Sequence, residues 1–408
     1  MALNPEKIRK DFPILNRKIN GRPLAYLDNA ATTQKPQVVI DAISDFYENH
    51  NANVHRGRYV LSDEASELYE QAHSTVGNLV GAAMEETVFL RNTTEAINLL
   101  SFSLSRQGVL KKGDIVLLSK MEHHANLVPW IQLKEKIGIT LEFIPLKNNS
   151  ELDWSAFEKL LQKKPKVVSV SLCSNVLGTI NPIAKIAKAS HDAGALVIGD
   201  GAQAVPHYPV DFKKSGLDFL AFSGHKMLGP TGASALVGKK ELLEKLPPFL
   251  TGGEMINEVF LDRATWNELP WKFEAGTQAI ADGVGFKAAV DYLQKIGLDE
   301  IRSFEQKIGK TAFDALDEIK GLTLYGPAQE KKCALFSFNL KGIHSHDVAT
   351  VLDANGIACR SGNHCAQPLL RELGVDSTVR ASFYIYNTKE EIERLTDGLK
   401  QTQKTFGA

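Results

Sequence analysis

The middle of the chain alternates short apolar runs with stretches of helical periodicity. The run at 183–191 has apolar residues at helical spacing and ends before Gly194. Short apolar runs between such stretches are typical of the buried strands of a parallel sheet. The pattern therefore predicts an α/β fold with a mainly parallel sheet. The predicted strands are 114–118, 140–145, 166–172, 196–199, 219–222 and 234–237.

Beyond about residue 288 the pattern changes. Helix-like stretches at 290–296 and 301–319 precede three strand-like runs, at 334–339, 356–360 and 379–386, and a closing helix begins at Lys389. This order favours a smaller α+β domain. We predict a large domain of residues 21–288 and a small domain of residues 1–20 and 289–408.

Composition and charge argue against a nucleic-acid-binding, a membrane-spanning or a secreted protein. The 408 residues are 43% hydrophobic and 23% charged, enough for a large core in two domains. A formal net charge of -1 gives no electrostatic case for a nucleic-acid partner. No apolar stretch reaches the length of a membrane span, and residues 1–17 lack a secretory apolar region. A cytoplasmic protein is expected.

A Ser-Gly-His-Lys tetrapeptide follows the apolar run at 219–222. Lys226, the last residue of this tetrapeptide, follows the end of a predicted buried strand. An ammonium loses solvation in such a place, and the pKa of the side chain falls as a result. Such a lysine can form a Schiff base with a carbonyl group. Ser223 and His225 would suit a phosphate, so the tetrapeptide suggests pyridoxal 5'-phosphate bound to Lys226. Taken alone, a lysine in a surface turn is the more common interpretation.

A second apolar run ends in an acidic residue, Asp200. The carboxyl ends of parallel strands form the ligand crevice of an open α/β sheet, and a carboxylate there can pair with the pyridine nitrogen of the cofactor. Gln203 is then placed to bond the ring's phenolic oxygen. Without the lysine nearby, Asp200 would equally well be a helix cap.

The run at 88–98 offers a phosphate site. A strand ends near Arg91, and Asn92 is a natural N-cap for a helix that begins at Thr93. Glu95 stands where a capping-box carboxylate belongs. Free backbone amides and the helix dipole attract an anion, and the hydroxyls of Thr93 and Thr94 add donors.

The chain has four cysteines, too few for a disulfide scaffold of this length. Cys173 and Cys333 lie in apolar strand-like runs and are predicted to be core residues. Cys359 and Cys365 lack a second pair at zinc-site spacing, so no metal site is predicted. Cys365 differs from the others because Gly, Asn, His, Gln and Pro surround it, as in a loop. Solvent and substrate can reach a thiol on such a loop, which makes Cys365 a candidate catalytic nucleophile.

Several segments, spread over nearly the whole chain, resemble one enzyme family. They lie at 27–33, 53–57, 122–126, 272–277, 360–368 and 380–387. In this order they resemble the class V aminotransferase family of fold-type I pyridoxal-phosphate enzymes, and more closely the group II, Suf-type cysteine desulfurases. The segment 360–368 resembles the short active-cysteine loop of that group rather than the longer Isc and Nif loop. The implied fold has a mainly parallel, seven-stranded type of sheet in the large domain.

The resemblance implies roles for individual residues. Cys365 would receive sulfur from L-cysteine as a persulfide, leaving L-alanine. His123 would stack on the cofactor ring and relay protons, while His124 serves the structure. Asn175, Arg360 and Arg380 would bind the substrate.

The resemblance also implies partners. A homodimer is expected, in which Thr277 reaches the cofactor phosphate of the neighbouring subunit. The sulfur acceptor would be a small carrier or scaffold protein of the Suf system, for iron-sulfur cluster assembly.

Two departures and two alternatives remain open. Thr251 stands before two glycines where the family has a glycine triplet, and Asn363 stands where histidine is frequent. Selenocysteine lyase or cysteine sulfinate desulfinase would share nearly all the cofactor residues. A non-catalytic assembly scaffold is disfavoured by the presence of Lys226, Asp200 and Cys365 together.

Overall fold

A seven-stranded sheet forms the centre of the larger part of the molecule. The computed structural model describes residues 3–407, so the ends of both predicted terminal segments, residues 1, 2 and 408, lie outside the described residues. The six strands predicted in the middle of the chain are confirmed to within one residue at each end. In order across the sheet the strands are Thr87–Leu90, Ser234–Gly238, Phe219–Ser223, Leu196–Asp200, Val167–Ser171, Ile115–Ser119 and Thr140–Ile144.

The sheet is mainly parallel, as predicted. Ser234–Gly238 runs antiparallel to both of its neighbours, and the five strands from Phe219–Ser223 to Thr140–Ile144 pair in parallel. Both faces are covered, because alternate residues of one strand enter different cores: Leu220 packs in one hydrophobic cluster and Ala221 in another. This explains why the strand sequences are continuously apolar.

Helices cover both sheets. The predicted helix at 183–191 is confirmed as Ile183–Asp192, and the one predicted at 290–296 begins ten residues earlier, at Ile280. Within residues 3–407 the α-helices are Pro5–Ile8, Gln37–Asp45, Val60–Leu79, Thr93–Arg106, Val128–Ile137, Trp154–Leu161, Ile183–Asp192, Phe212–Ser215, Lys240–Leu243, Ile280–Ile296, Leu298–Asp317, Ser345–Ala354, Gln367–Glu372 and Lys389–Phe406.

A four-stranded antiparallel sheet lies in the C-terminal part. In order its strands are Leu322–Tyr325, Leu335–Leu340, Thr378–Ser382 and Arg360–Gly362. The single strand predicted at 356–360 is wrong, since Ile357–Ala358 instead pairs in parallel with Ala25–Tyr26. The strand predicted at 379–386 stops at Ser382, because the Asn387 side chain accepts the backbone N–H of Tyr384 and turns the chain.

The remaining elements are short. Two-stranded ribbons are formed by Lys18–Ile19 with Arg22–Pro23 and by Ile256–Val259 with Ala264–Trp266. Within residues 3–407, no helix combines the length and the apolar character that crossing a bilayer requires.

The predicted domain boundary falls inside a helix. Ile280–Ile296 runs without a break through residues 288 and 289. Near the other end of the chain, Ala25 and Leu27 pack into the hydrophobic cluster of the C-terminal sheet although they were assigned to the large domain. The two-domain division stays a prediction.

Candidate active site

Two neighbouring parallel strands bring Asp200 and Lys226 to one edge of the central sheet. Asp200 ends its strand opposite Ala221, and Lys226 follows the end of the next strand in a short 3₁₀ turn, Gly224–Lys226. A cavity of about 410 Å³ opens at this edge, within the size range of small-molecule sites. Every site residue predicted from the sequence except Thr277 lines it. These are Thr93, Thr94, His123, Asn175, Asp200, Gln203, Ser223, His225, Lys226, Arg360, Cys365 and Arg380.

The environment of Lys226 favours a neutral amine. Burial lowers the pKa of Lys226 to about 8, and the nearby Asp200 carboxylate partly opposes this shift. At pH 7 about a tenth of such an amine is unprotonated, far more than for an ordinary lysine. The Lys226 side chain has the protonation behaviour that a Schiff-base lysine needs.

The Asp200 carboxylate is buried and only partly satisfied. Its Oδ1 accepts the backbone N–H of Ala202 at 2.9 Å, which is the only hydrogen bond of this side chain within residues 3–407. Burial raises the pKa of Asp200, while the Ala202 N–H and the Lys226 charge oppose the rise. A cationic group in the cavity would favour the ionised carboxylate further. Gln203, also buried, donates from Nε2 to the carbonyl of Ala30 at 2.6 Å.

The helix Thr93–Arg106 points its N-terminus at the cavity. Asn92 is confirmed as its N-cap, since its side chain accepts the Glu95 N–H at 2.9 Å. The capping-box prediction for Glu95 is off by one position, because its carboxylate accepts the N–H of Arg91, at 2.7 Å, and also binds the Arg91 guanidinium. The Arg91 guanidinium thus supplies two further donors, Nε and Nη2, to the same buried carboxylate.

Two of the predicted phosphate ligands are bonded to one another. The Ser223 hydroxyl accepts the backbone N–H of Thr93 at 3.0 Å and lies 2.7 Å from the Thr93 hydroxyl. Thr94, in contrast, is exposed at the first turn of the helix and lines the cavity. The imidazole of His225 lines the same cavity, and burial lowers its pKa to about 4. Donors for an anion therefore remain at Thr94 and His225.

The imidazole of His123 is held as one tautomer. Its Nδ1 accepts the Ala125 N–H at 3.0 Å, and burial lowers the pKa of His123 to about 3. The neutral ring therefore carries its proton on Nε2. Nε2–H is the group of His123 that can act as a donor.

Asp28 joins the two arginines of the cavity. It accepts Arg360 through both oxygens, at 2.9 to 3.2 Å, and Arg380 Nη2 at 3.2 Å. Arg380 is buried and also donates to the Asn175 carbonyl at 2.9 Å, while its Nε has no partner within the described chain. Sequence analysis included Asp28 in a motif but gave it no role. A pairing across 352 positions of sequence has no local signal.

Cys365 lies exposed on a strained loop at the cavity. Both His364 and Cys365 have positive φ, 51° and 54°, a conformation uncommon for residues other than glycine. The Asn363 side chain accepts the Cys365 N–H at 3.1 Å, and the Asn175 side chain donates to the His364 carbonyl at 2.8 Å. Asn363 thus supports the loop. His124 has a structural role, as predicted, because its ring accepts the Gln367 N–H at 3.1 Å and so binds the segment that follows Cys365.

A segment near the N-terminus clamps the turn that carries Lys226. The carbonyl of His225 accepts hydrogen bonds from the side chains of Thr32, Thr33 and Lys35, at 2.9, 3.2 and 3.1 Å, and from the backbone N–H of Thr33 at 3.0 Å. Four donors on one carbonyl hold the peptide before Lys226 in place. Sequence analysis assigned no role to Lys35.

Glu122 is a third residue, after Asp28 and Lys35, for which the sequence indicated no role. It is buried at the end of strand Ile115–Ser119, and its carboxylate accepts from Ser119, Asn126 and Ser171. Burial raises the pKa of Glu122 to about 7, although the hydrogen bonds from these donors act to lower it. The network ties two strand ends together directly beside His123. Glu122 is therefore placed to position that imidazole.

Thr277 is the predicted site residue that lies elsewhere. It is exposed and lines a separate surface cavity with Arg91 and Glu274. Within one chain it does not contact the Lys226 cavity. The role predicted for Thr277, a contact with the cofactor phosphate of a neighbouring subunit, stays a prediction.

Comparison with known proteins places the chain in a family. The sequence profile of the family described as aminotransferase class V matches residues 25–395. The chain belongs to this family. A curated relative from Halalkalibacterium halodurans, named probable cysteine desulfurase, is 49% identical over 99% of this chain and 99% of its own length.

Solved structures of the family have the same fold. The apo structure of a cysteine desulfurase from Thermococcus onnurineus NA1 is 40% identical, covers 99% of each chain and superposes with a TM-score of 0.94. The cysteine desulfurase CsdA of Escherichia coli, in an S-sulfonic acid form, is 36% identical, with a TM-score of 0.91 over 99% of this chain and 100% of its own. These likenesses bear out the predicted fold type and the predicted family.

The residues of the cavity fit the pyridoxal phosphate predicted from the sequence. An amine of lowered pKa and a buried carboxylate with a free oxygen lie on adjoining strand ends. A helix N-terminus with an exposed threonine supplies an anion site at the same edge. These three features match the aldehyde, the pyridine nitrogen and the phosphate of the group.

Proposed function

We propose that this protein is a pyridoxal-phosphate-dependent cysteine desulfurase that converts L-cysteine to L-alanine and holds the sulfur as a persulfide on Cys365. The observation that carries the proposal is the presence of an exposed thiol, Cys365, on the wall of the cavity that also contains Lys226 and Asp200. A transaminase has no need of such a thiol. The family membership and the names of the relatives support the same activity.

Lys226, Asp200 and the helix N-terminus would hold the cofactor. Lys226 Nζ would bind its aldehyde carbon, and Asp200 its pyridine nitrogen. Thr93, Thr94, Ser223 and His225 would surround its phosphate, Gln203 its phenolic oxygen, and His123 its ring face. When bound, pyridoxal phosphate supplies an electron sink for the charge left on the substrate Cα.

Arg380 would orient the substrate. Its guanidinium is planar and buried at the cavity wall, so it can bind the α-carboxylate through two hydrogen bonds. Asp28 fixes the guanidinium from behind, and Asn175 holds it through its carbonyl. Arg360 adds a second positive charge at the entrance.

Lys226 and His123 would move protons. The neutral fraction of Lys226 Nζ can accept the Cα proton, since its pKa is about 8. His123 Nε2–H can donate to an atom of the substrate that gains negative charge.

Cys365 would receive the sulfur. Its Sγ attacks the sulfur of L-cysteine, the substrate C–S bond breaks, and an S–S bond forms. The Cys365 thiol and L-cysteine give the Cys365 persulfide and L-alanine, with no oxidant or reductant. Because Cys365 is exposed, the persulfide can pass to a thiol of a second protein.

We extend the proposal to the partners. The acceptor would be a small sulfur carrier or scaffold protein of the Suf system, serving iron-sulfur cluster assembly. A homodimer would bring Thr277 of one subunit to the phosphate site of the other. A cytoplasmic location suits four free cysteines, because thiols stay reduced there.

The test is turnover of L-cysteine with and without the Cys365 thiol. Wild type should form alanine and gain one sulfur on the tryptic peptide 361–371, removable by reductant. Cys365→Ser should bind the cofactor normally but form almost no alanine, because a hydroxyl is a poor nucleophile toward sulfur. It should keep activity on selenocysteine, whose C–Se bond is weaker. Full cysteine turnover by Cys365→Ser, or sulfur on Cys359 instead, would overturn the proposal.

A further inference from the structure

Two buried thiols outside the proposed mechanism lie side by side. The Sγ atoms of Cys173 and Cys333 are 3.4 Å apart, although 160 positions separate the residues in sequence. Cys173 follows a strand of the central sheet, and Cys333 precedes strand Leu335–Leu340 of the C-terminal sheet. The pair therefore spans the contact between the two sheets.

The backbone already holds these segments in register. The carbonyl of Gly178 accepts the Cys333 N–H at 3.0 Å and the Cys173 thiol at 3.3 Å. Ile180 donates to the Lys331 carbonyl at 3.0 Å. A disulfide requires the sulfurs to approach by about 1.4 Å, to the usual bond length of about 2.05 Å. A shift of this size needs side-chain rotation and little backbone movement.

Cys173 can be reached through the cavity. It is 3% exposed, and it lines the cavity that also contains Cys365 and Lys226. Cys333 is equally buried but is absent from that lining, so a small solute in the cavity meets Cys173 first. The hydrogen bond with Cys173 and burial raise the pKa of Cys333, so Cys333 is protonated in the reduced pair and is not the first sulfur to react with a solute in the cavity.

We propose that Cys173 and Cys333 are a redox modification site, which hydrogen peroxide converts to a disulfide joining the two sheets. Peroxide oxidises the Cys173 thiol to a sulfenic acid and releases one water. The Cys333 sulfur then attacks the Cys173 sulfur, forming the S–S bond and releasing a second water. Overall, two thiols and one hydrogen peroxide give one disulfide and two waters. Cys333 acts as the resolving thiol and protects Cys173 from further oxidation.

Peptide mapping tests this directly, because the four cysteines fall in four different tryptic peptides. These are 167–185, 333–341, 342–360 and 361–371. Full-length protein is treated with a small excess of hydrogen peroxide, denatured with a thiol-blocking maleimide and digested without reductant. We expect 167–185 linked to 333–341, with the mass of two hydrogen atoms missing and the link broken by dithiothreitol. Oxidation should also raise the Tm by about 2–5 °C, since the bridge closes a long loop.

Three variants test which cysteines form the link and in what order they react. In Cys333→Ala, Cys173 should accumulate as sulfinic acid, and peroxide should not raise the Tm. In Cys173→Ala, Cys333 should stay reduced at the same dose. In Cys365→Ser, the link should form as in wild type, which separates this site from the proposed catalytic thiol. Cys173 recovered in its maleimide form after Cys365 has been oxidised, or Cys173 linked to Cys365, would overturn the proposal.

Discussion

The backbone N–H of His124 donates a 2.7 Å hydrogen bond to the carbonyl oxygen of Cys365. This bond joins the segment that carries His123 to the loop that carries the exposed thiol. The His124 ring reinforces the link by accepting the Gln367 N–H. The His123 imidazole and the Cys365 thiol, which both line the cavity, are thus held by one network of hydrogen bonds, although they follow strands of different sheets.

We predict that His124→Ala lowers the rate of alanine formation from L-cysteine by about 10- to 100-fold, because the thiol loses its position. Cofactor content and the spectrum of the bound cofactor should stay as in wild type. His346→Ala, which removes an exposed histidine outside the cavity, is the control and should have the wild-type rate. An unchanged rate for His124→Ala would show that the loop is held without this ring.

Replacing Lys226 by alanine should abolish turnover, with a loss of at least about 1,000-fold. Lys35 cannot take over, since it does not line the cavity and its Nζ donates to the carbonyls of Thr33 and His225 at 2.6 and 3.1 Å. Borohydride reduction and peptide mapping should label Lys226 in wild type and no lysine in the variant. A label on any other lysine would contradict the assignment.

The reaction of apoenzyme with pyridoxal phosphate should depend on pH through Lys226. The neutral amine is the reactive form, so the rate should rise about tenfold per pH unit below about 8 and level off above it. Asp200 raises this pKa by its negative charge. Asp200→Asn should therefore move the midpoint to lower pH. Stopped-flow absorbance from pH 6 to 10 measures both midpoints, and a midpoint near the ordinary lysine value in wild type would refute the effect of burial.

Asp28→Asn should raise the KM for L-cysteine by about tenfold, with a smaller change in kcat, because two guanidiniums lose their common partner. Arg360→Lys keeps the charge but loses the two-oxygen contact, so it should cause part of this effect. Initial rates over a range of L-cysteine concentrations separate KM from kcat. If KM were unchanged in Asp28→Asn, Arg380 would be oriented by Asn175 alone.

The places where sequence and structure disagree share a cause. The helix Ile280–Ile296 begins before its predicted start because glycines at 283 and 285 weaken the helical signal, while packing against Val60–Leu79 stabilises the helix. The strand predicted at 379–386 stops early because a side chain, Asn387, turns the backbone. In each case side-chain contacts outweigh the backbone preference, between two helices for Ile280–Ile296 and between residues three positions apart for the strand.

The sequence by itself determined the central strands, the N-cap at Asn92, and the placement of Asp200 and Lys226 at strand ends. These features depend on apolar runs and capping residues, which act over a few positions and leave a local signal. The tertiary structure alone decided that Asp28 binds Arg360 and Arg380, 332 and 352 positions away, and that Cys173 meets Cys333. Such contacts depend on how the sheets pack. A pairing between distant residues has no periodicity or spacing that one sequence can show.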